Sequence, residues 1–520
     1  MKKTIFILAA SLLLTNLTLA EEDLIPDTPP ARVYNYYCTW AAQGYVYGQG
    51  LDHLDWNVLL KADAGSAMHE SLLTNKNNGL LSFFPEIRSD LWFLLDDGYY
   101  AVPGSKTVED KKEGMTSMKF DVERFPSCAG KGPADCIAIV SRLIKERGWH
   151  GLGLWSRGYP RSEDQAREKL EWSRAGDVGY WKIDTGDAPM NYCRLRSEIY
   201  PGLILEHSVW AHGVYTGKGE TNMKQLLPST VVSEQHAFMR GTDVVRIYDC
   251  DQPLGQITAL LRTAGLLADA SGDSSVTAII NTEDHVSIAG ALGCSAGVLR
   301  FPIMGKRPDG DPDVFNAGPR HVKKRIDEVV RVLRWQRLAP PIKANALPVN
   351  IDEKGFADTW TVVRGETWNK ITGPVTQSAP ARISRGLSLP EVRSEGDAPF
   401  VLACRHPQGP LTVTTLGRFA NSWGYHIPLA DISLDVGTIP QEIGIFGRYQ
   451  SLTLRFSESV VGRHVLAQDI MAKKSVDITH EVMLQEMELK IPGKVIDRVG
   501  SSAASPGDES DPGMVLKLVQ

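Results

Sequence analysis

Between Ala31 and Leu338 short, continuously apolar runs alternate with longer stretches of helical periodicity, and that alternation leaves the chain very few folds. Eight runs stand out: Val33–Trp40, Leu91–Asp97, Gly151–Ser156, Gly179–Asp184, Leu203–Ser208, Val244–Asp249, Val276–Asn281 and Val298–Pro302. A run that stays apolar, instead of alternating with polar residues, suits a parallel strand covered on both faces. Between the runs, Pro133–Arg147 sets Ile137, Val140, Leu143 and Ile144 at helical spacing, with Gly148 as C-cap. After the eighth, Arg320–Arg337 lines up Val322, Ile326, Val329, Val330 and Leu333 on one face, and Pro340-Pro341 stops it. Eight strand–helix repeats in roughly 310 residues predict a (β/α)8 TIM barrel, over residues 21–341.

Past Pro341 the texture changes. Leu411–Leu416 and Ser451–Phe456 alternate apolar with polar residues and lie between Gly, Pro and Asp turns, as half-buried antiparallel strands do. An all-β antiparallel, sandwich-like domain is expected over 342–520, with Val499–Pro512 an exposed loop before a last strand at Met514–Leu518. At the other end, Lys2-Lys3, an apolar run from Ile5 to Leu14 and the small-residue exit Thr18-Leu19-Ala20 read as a secretory signal over 1–20, placing the mature chain in the periplasm or outside the cell. No later stretch is apolar for long enough to suggest a membrane helix. With 56 basic against 62 acidic residues there is no basic excess to hold a phosphate backbone, so nucleic acid is not an expected partner. Seven cysteines do not make a disulfide framework; Cys128 and Cys136 are near enough in sequence to pair, but buried thiols suit most of the seven better.

In such a barrel the active site is built at the C-terminal ends of the strands. Here those ends are polar: Leu94-Leu95-Asp96-Asp97-Gly98 on the second, Trp181-Lys182-Ile183-Asp184 on the fourth, Leu205-Glu206-His207 on the fifth and Arg246-Ile247-Tyr248-Asp249 on the sixth. One carboxylate at a strand end is often a helix cap, but four acidic ends on one rim fit glycoside hydrolysis. That reaction needs two carboxyl groups about the anomeric carbon, about 5–5.5 Å apart when configuration is retained. Asp184 suits the nucleophile, because Lys182, two residues away on the same side of the strand, would hold it ionised. Asp249 suits the acid/base, protonated while Asp184 is charged and free to ionise once the sugar is attached.

These pieces resemble the α-galactosidase clan, glycoside hydrolase families 27 and 36 and their relatives. The similar segments come in family order: Leu94–Gly98, Phe120–Pro126, Gly151–Trp155, Tyr180–Asp184, Val245–Asp249 and Glu283–Pro302. The resemblance implies a retaining exo-hydrolase of terminal α-linked sugars, α-galactosides first, acting on an oligo- or polysaccharide; no zinc-ligand spacing is present, and no cofactor or metal is expected. It implies Asp184 as nucleophile and Asp249 as acid/base, with Asp96, Asp97 and Lys182 on the distal sugar hydroxyls. Arg246, with Glu206, would lie near the 2-hydroxyl, and Trp40 and Trp155 would line the pocket. Asp249 sits closer to Arg246 than the family pattern has it, which keeps Asp251 open as the acid/base, and Thr185-Gly186-Asp187 departs from the family after the nucleophile. Other specificities on the same machinery, a β-L-arabinopyranosidase or an isomaltose-releasing enzyme, stay open, as does a sugar-binding barrel without turnover. Oligomeric state is not legible.

Three other features carry less. Gly293-Cys294-Ser295-Ala296-Gly297 matches the G-x-S-x-G of serine hydrolases, but a helix-like stretch precedes it and a strand-like run follows, the reverse of a nucleophile elbow. Asp309-Gly310-Asp311-Pro312-Asp313 lacks the spacing of a calcium loop and reads as surface. Trp360, Trp368 and Trp423 in the β-domain suit core packing better than a sugar-binding face.

Overall fold

The computed structural model describes residues 22–40, 42–43, 68–75, 79–101, 114, 116–158, 160, 162–184, 190–209, 221–227, 237–247, 255–300, 302, 325–362, 373–420 and 424–520. The expected signal segment, Thr185–Asp187, Asp249, Asp251, Asp309–Asp313, Trp368 and Trp423 lie outside them, as does the side chain of Trp360.

Eight parallel strands form the barrel: β1 (Tyr36–Cys38), β2 (Trp92–Leu95), β3 (Gly151–Ser156), β4 (Val178–Ile183), β5 (Ile204–Val209), β6 (Val244–Ile247), β7 (Ile279–Thr282) and β8 (Gly297–Val298). From β1 to β7 each pairs with the next in order, and β8 pairs with β1 through Tyr36 opposite Gly297. A parallel bridge from Asn281 to Ser295, just before β8, closes the ring. All eight expected runs carry a strand. The last is the shortest at two residues, so Val298–Pro302 marks its place better than its length.

The barrel axis is filled by aromatic rings, and glycines on neighbouring strands make the room. A Cβ on Gly297 would come within 2.5 Å of the Tyr36 ring, and one on Gly153 within 3.3 Å of Tyr180. The two tyrosine rings meet edge-on at 5.4 Å between centroids, closing the floor. On the outside, helix α1 (Pro133–Lys145) starts at a proline whose missing N–H costs nothing there and buries Ile137, Val140 and Ile144. Helix α2 (Glu163–Gly176) is capped by the Ser162 hydroxyl, which accepts from the Gln165 amide at 3.2 Å.

The β-domain is layered on the barrel. Its larger sheet runs Val349–Ile351, Arg382–Arg385, Phe400–Arg405, Leu411–Leu416, Ile443–Phe446, Gly513–Val519, His464–Asp469, Val476–Asp477. A second sheet of five strands covers its outer side. Most pairings are antiparallel; Arg382–Arg385 with Phe400–Arg405, Leu411–Leu416 with Ile443–Phe446, and Asp431–Gly437 with Ser451–Phe456 are parallel. The larger sheet is buried on both faces. Phe400, Leu402, Leu416, Phe446 and Val515 join the core that runs through the barrel, while Val401, Ala403, Val413 and Ile445 pack on the outer sheet.

This corrects one expectation. Leu411–Leu416 is buried at every position instead of half-buried, because the barrel covers what would otherwise be its wet face. Two of its three threonines are satisfied internally: Thr412 Oγ1 accepts from Trp335 Nε1 at 3.0 Å, and Thr415 donates to the Arg448 carbonyl at 2.9 Å. The 499–512 stretch divides, its start closing a short helix, Gly493–Gly500, before the strand Gly513–Val519. The six cysteines among the described residues, Cys128 and Cys136 included, are free thiols.

Candidate active site

Period-2 geometry carries the inward face of each strand up to the C-terminal mouth. Tyr180 and Lys182 on β4, and Asp184 immediately past its end, follow one another on that face. Glu206 stands opposite Lys182 on β5, and Arg246 on β6 is in register with Ser208 and Asn281. Asp96 and Glu283 each follow immediately on their strands, β2 and β7.

These side chains form one connected network. Lys182 Nζ lies 2.9 Å from Asp96 Oδ2 and 3.0 Å from Glu283 Oε1. Arg246 donates from Nε to Glu206 Oε1 at 2.9 Å and from Nη1 to Glu283 Oε2 at 2.9 Å, and its Nη2 pairs with Asp184 Oδ1. The second Asp184 oxygen accepts from Trp155 Nε1 at 2.8 Å. Beneath, the Tyr36 hydroxyl donates to Glu283 at 2.9 Å and the Tyr180 hydroxyl to Glu206 at 2.5 Å. The Cys38 thiol donates to Asp96 at 2.9 Å.

Exposure separates the carboxylates by role. The Asp184 side chain is 23% exposed, against 4% for Asp96, 0% for Glu206 and 1% for Glu283. Asp184 is the open one. Burial works to raise its pKa, but Arg246 and then Lys182 outweigh it, and the carboxyl is held below its usual range. Glu283 is lowered in the same way, against burial, by Arg246 and Lys182. At Glu206 burial prevails over Arg246 and the carboxyl is pushed up to about 7. His207, just past it, is pushed down to about 4 by burial and then Arg246.

Among the described residues, those expected to form the site separate into three groups, while Asp249 lies outside them. Asp96, Lys182, Asp184, Trp155 and Arg246 come together as one cluster. Asp97 and Trp40 are half-buried beside it: the Asp97 amide donates to Asp96 Oδ1 at 2.8 Å and its carboxylate accepts from Tyr100, while Trp40 adjoins Thr39, whose hydroxyl accepts from the Asp96 amide at 2.9 Å. Glu206 lies deeper: both its oxygens are taken by Tyr180, Tyr36 and Arg246 below the mouth, so it anchors Arg246. Glu283 was not among the expected site residues, although it joins both cations. Its signal was a strand-end carboxylate just past the run that stops at Asn281, hidden because it also opens a helix-like stretch.

Ser295 is fully buried in the barrel wall, with its hydroxyl 3.5 Å from the Ile280 carbonyl, and Gly293 takes φ +64° to end a helix, so this segment is a packing turn. Among the described residues no group of three or more His, Cys, Asp or Glu side chains is placed to hold a metal ion, and no helix is long and apolar enough to cross a membrane.

No protein-family model matches the chain, and no curated protein matches it. Among solved structures it is similar to a family 27 glycoside hydrolase, a β-L-arabinopyranosidase from Geobacillus stearothermophilus in complex with arabinose, at 9% identity and a TM-score of 0.37, over 95% of this chain and 97% of that one. It is also similar to the carboxyl transferase domain of Rhizobium etli pyruvate carboxylase with oxalate, at 14% identity and a TM-score of 0.27, over 60% of this chain and 46% of that one. Similarities this distant assign no residue a role, and the site stands on its own geometry.

Proposed function

We propose that this chain is a retaining exo-glycoside hydrolase that removes terminal α-linked sugars, α-galactosides first. The observation that carries the reading is Asp184: the one partly open carboxylate of a buried ionic cluster, held charged by Arg246 and Lys182 and oriented by the Trp155 indole. A carboxylate so held is a nucleophile that does not need a base to prepare it.

In the first step an Asp184 oxygen bonds to C1 as the glycosidic C–O bond breaks, and the leaving oxygen takes a proton from the acid/base, which we assign to Asp249. In the second, Asp249 takes a proton from water, the water oxygen bonds to C1, and the ester bond to Asp184 breaks. Two displacements return the anomeric configuration of the substrate. While the ester exists Arg246 and Lys182 lose the charge they face, which favours expelling the carboxylate again.

Proton NMR of the first-formed product tests this directly, since an inverted anomer sinks the two-step path. Asp184→Asn should lose turnover of every glycoside alike. Asp249→Ala should spare activated aryl glycosides relative to substrates with poor leaving groups, by about 10²–10⁴-fold, and azide should restore its second step as a glycosyl azide of retained configuration. If Asp251→Ala behaves this way and Asp249→Ala does not, the acid/base is Asp251.

A further inference from the structure

We propose that Glu283 is a positioning residue for this reaction: it spans the barrel axis, ties Lys182 to Arg246, and so makes Arg246 present Nη2 to Asp184. The proposal rests on the reading of Asp184 as nucleophile. Glu283 follows β7, yet its partners come from β4 (Lys182, 3.0 Å), β6 (Arg246, 2.9 Å) and β1 (Tyr36, 2.9 Å). One carboxylate thus joins three strands besides its own. Arg246 uses Nε on Glu206 and Nη1 on Glu283, which leaves only Nη2 directed at Asp184. Two anchors on a planar guanidinium fix its plane as well as its place; remove either and the fork can turn.

The backbone behind Glu283 is fixed too. Asp284 adopts φ +60°, a left-handed conformation uncommon for a residue with a Cβ. It is held there by its amide donating to the Gly297 carbonyl at 2.6 Å, by the Leu299 amide donating to its carboxylate at 3.2 Å, and by Arg300 Nη2 donating to its carbonyl at 2.7 Å. The turn sets where β7 ends and points the Glu283 carboxylate at the axis.

The test compares the unaltered enzyme with Glu283→Gln and Glu283→Asp, by crystal structure and by turnover of p-nitrophenyl α-galactoside across pH. In Glu283→Gln the guanidinium should turn off Asp184, kcat should fall by about 10–100-fold with KM little changed, and the acid limb of kcat/KM should move to higher pH, because a cation has left the nucleophile. Glu283→Asp keeps the charge but is too short to reach both cations; it should recover thermal stability without recovering kcat, and it serves as the test if the Gln variant does not fold. A limb that moves to lower pH means that Glu283 is only a neighbouring charge with Arg246 unmoved, and overturns the proposal. So does an Arg246–Asp184 contact that persists in the variant crystals with kcat near that of the unaltered enzyme. If the unaltered enzyme turns over no α- or β-glycoside, the functional reading fails, and the paired crystal structures still decide the positioning.

Discussion

At the scale of single residues, the site is a problem of keeping one carboxylate charged without sealing it. Asp184 meets it by giving one oxygen to Arg246 and the other to the Trp155 indole, at 2.8 Å for the latter. An N–H donated to a carboxylate favours the charged form. Trp155→Phe keeps the aromatic face and removes that donor, so the acid limb of the kcat/KM profile should shift to higher pH, with kcat lower by about tenfold; a pH–rate series on both proteins measures it. Much of this was legible beforehand, because four strand ends on one rim carry carboxylates, more than helix caps account for, and Lys182 two positions away makes the pairing readable by alternation alone. The inward turn of Glu206 was not legible. Its fate depends on two tyrosine hydroxyls from strands far away in sequence, and no local pattern reports them.

At the scale of elements, the barrel interior stacks in two layers, tyrosine rings below and charges above, with Glu206 at the boundary. Burial pushes this carboxyl up from 4.5 to about 7. A folded-state value above the unfolded one means that the folded protein binds the extra proton. The stability Glu206 contributes is therefore fully present below about pH 4.5 and lost as pH rises through about 7. Glu206→Gln mimics the protonated form at every pH. Its melting temperature should gain on that of the unaltered protein between about pH 5 and 8, and a constant difference across that range would contradict the reading. The strands themselves were legible as continuous apolar runs. Their lengths were less so: β8 keeps two residues, since closure needs only Gly297 and Val298 against Tyr36 and Tyr37.

At the scale of the whole molecule, barrel and β-domain share a core, and charges as well as apolar side chains cross between them. From the helix Asp327–Trp335, Arg331 meets Asp469 of the larger sheet through two hydrogen bonds of 3.0 Å, both partners buried, while the Trp335 ring lies over Gly444. Asp469→Ala strands a buried guanidinium and should cost about 3–5 kcal/mol, measurable by urea unfolding. Fluorescence from barrel tryptophans and far-UV dichroism should lose signal in one coincident transition, since one apolar cluster runs through both. This joint is also why Leu411–Leu416 misled: a strand reads as half-buried when its second cover lies in another domain.

The ionic cluster has one more property, visible in its ordering. From Asp96 through Lys182, Glu283 and Arg246 to Asp184 the signs alternate along a chain of contacts, minus, plus, minus, plus, minus. Any single neutralising substitution inside such a chain leaves two like charges adjacent in the dry centre of the barrel. Descent by single steps is therefore obstructed, and related sequences that lose Lys182 should lose Glu283 or Asp96 with it. The cluster should be inherited whole or replaced whole, which makes the joint presence of these five residues, more than any one of them, the mark by which kin of this chain can be told from other barrels.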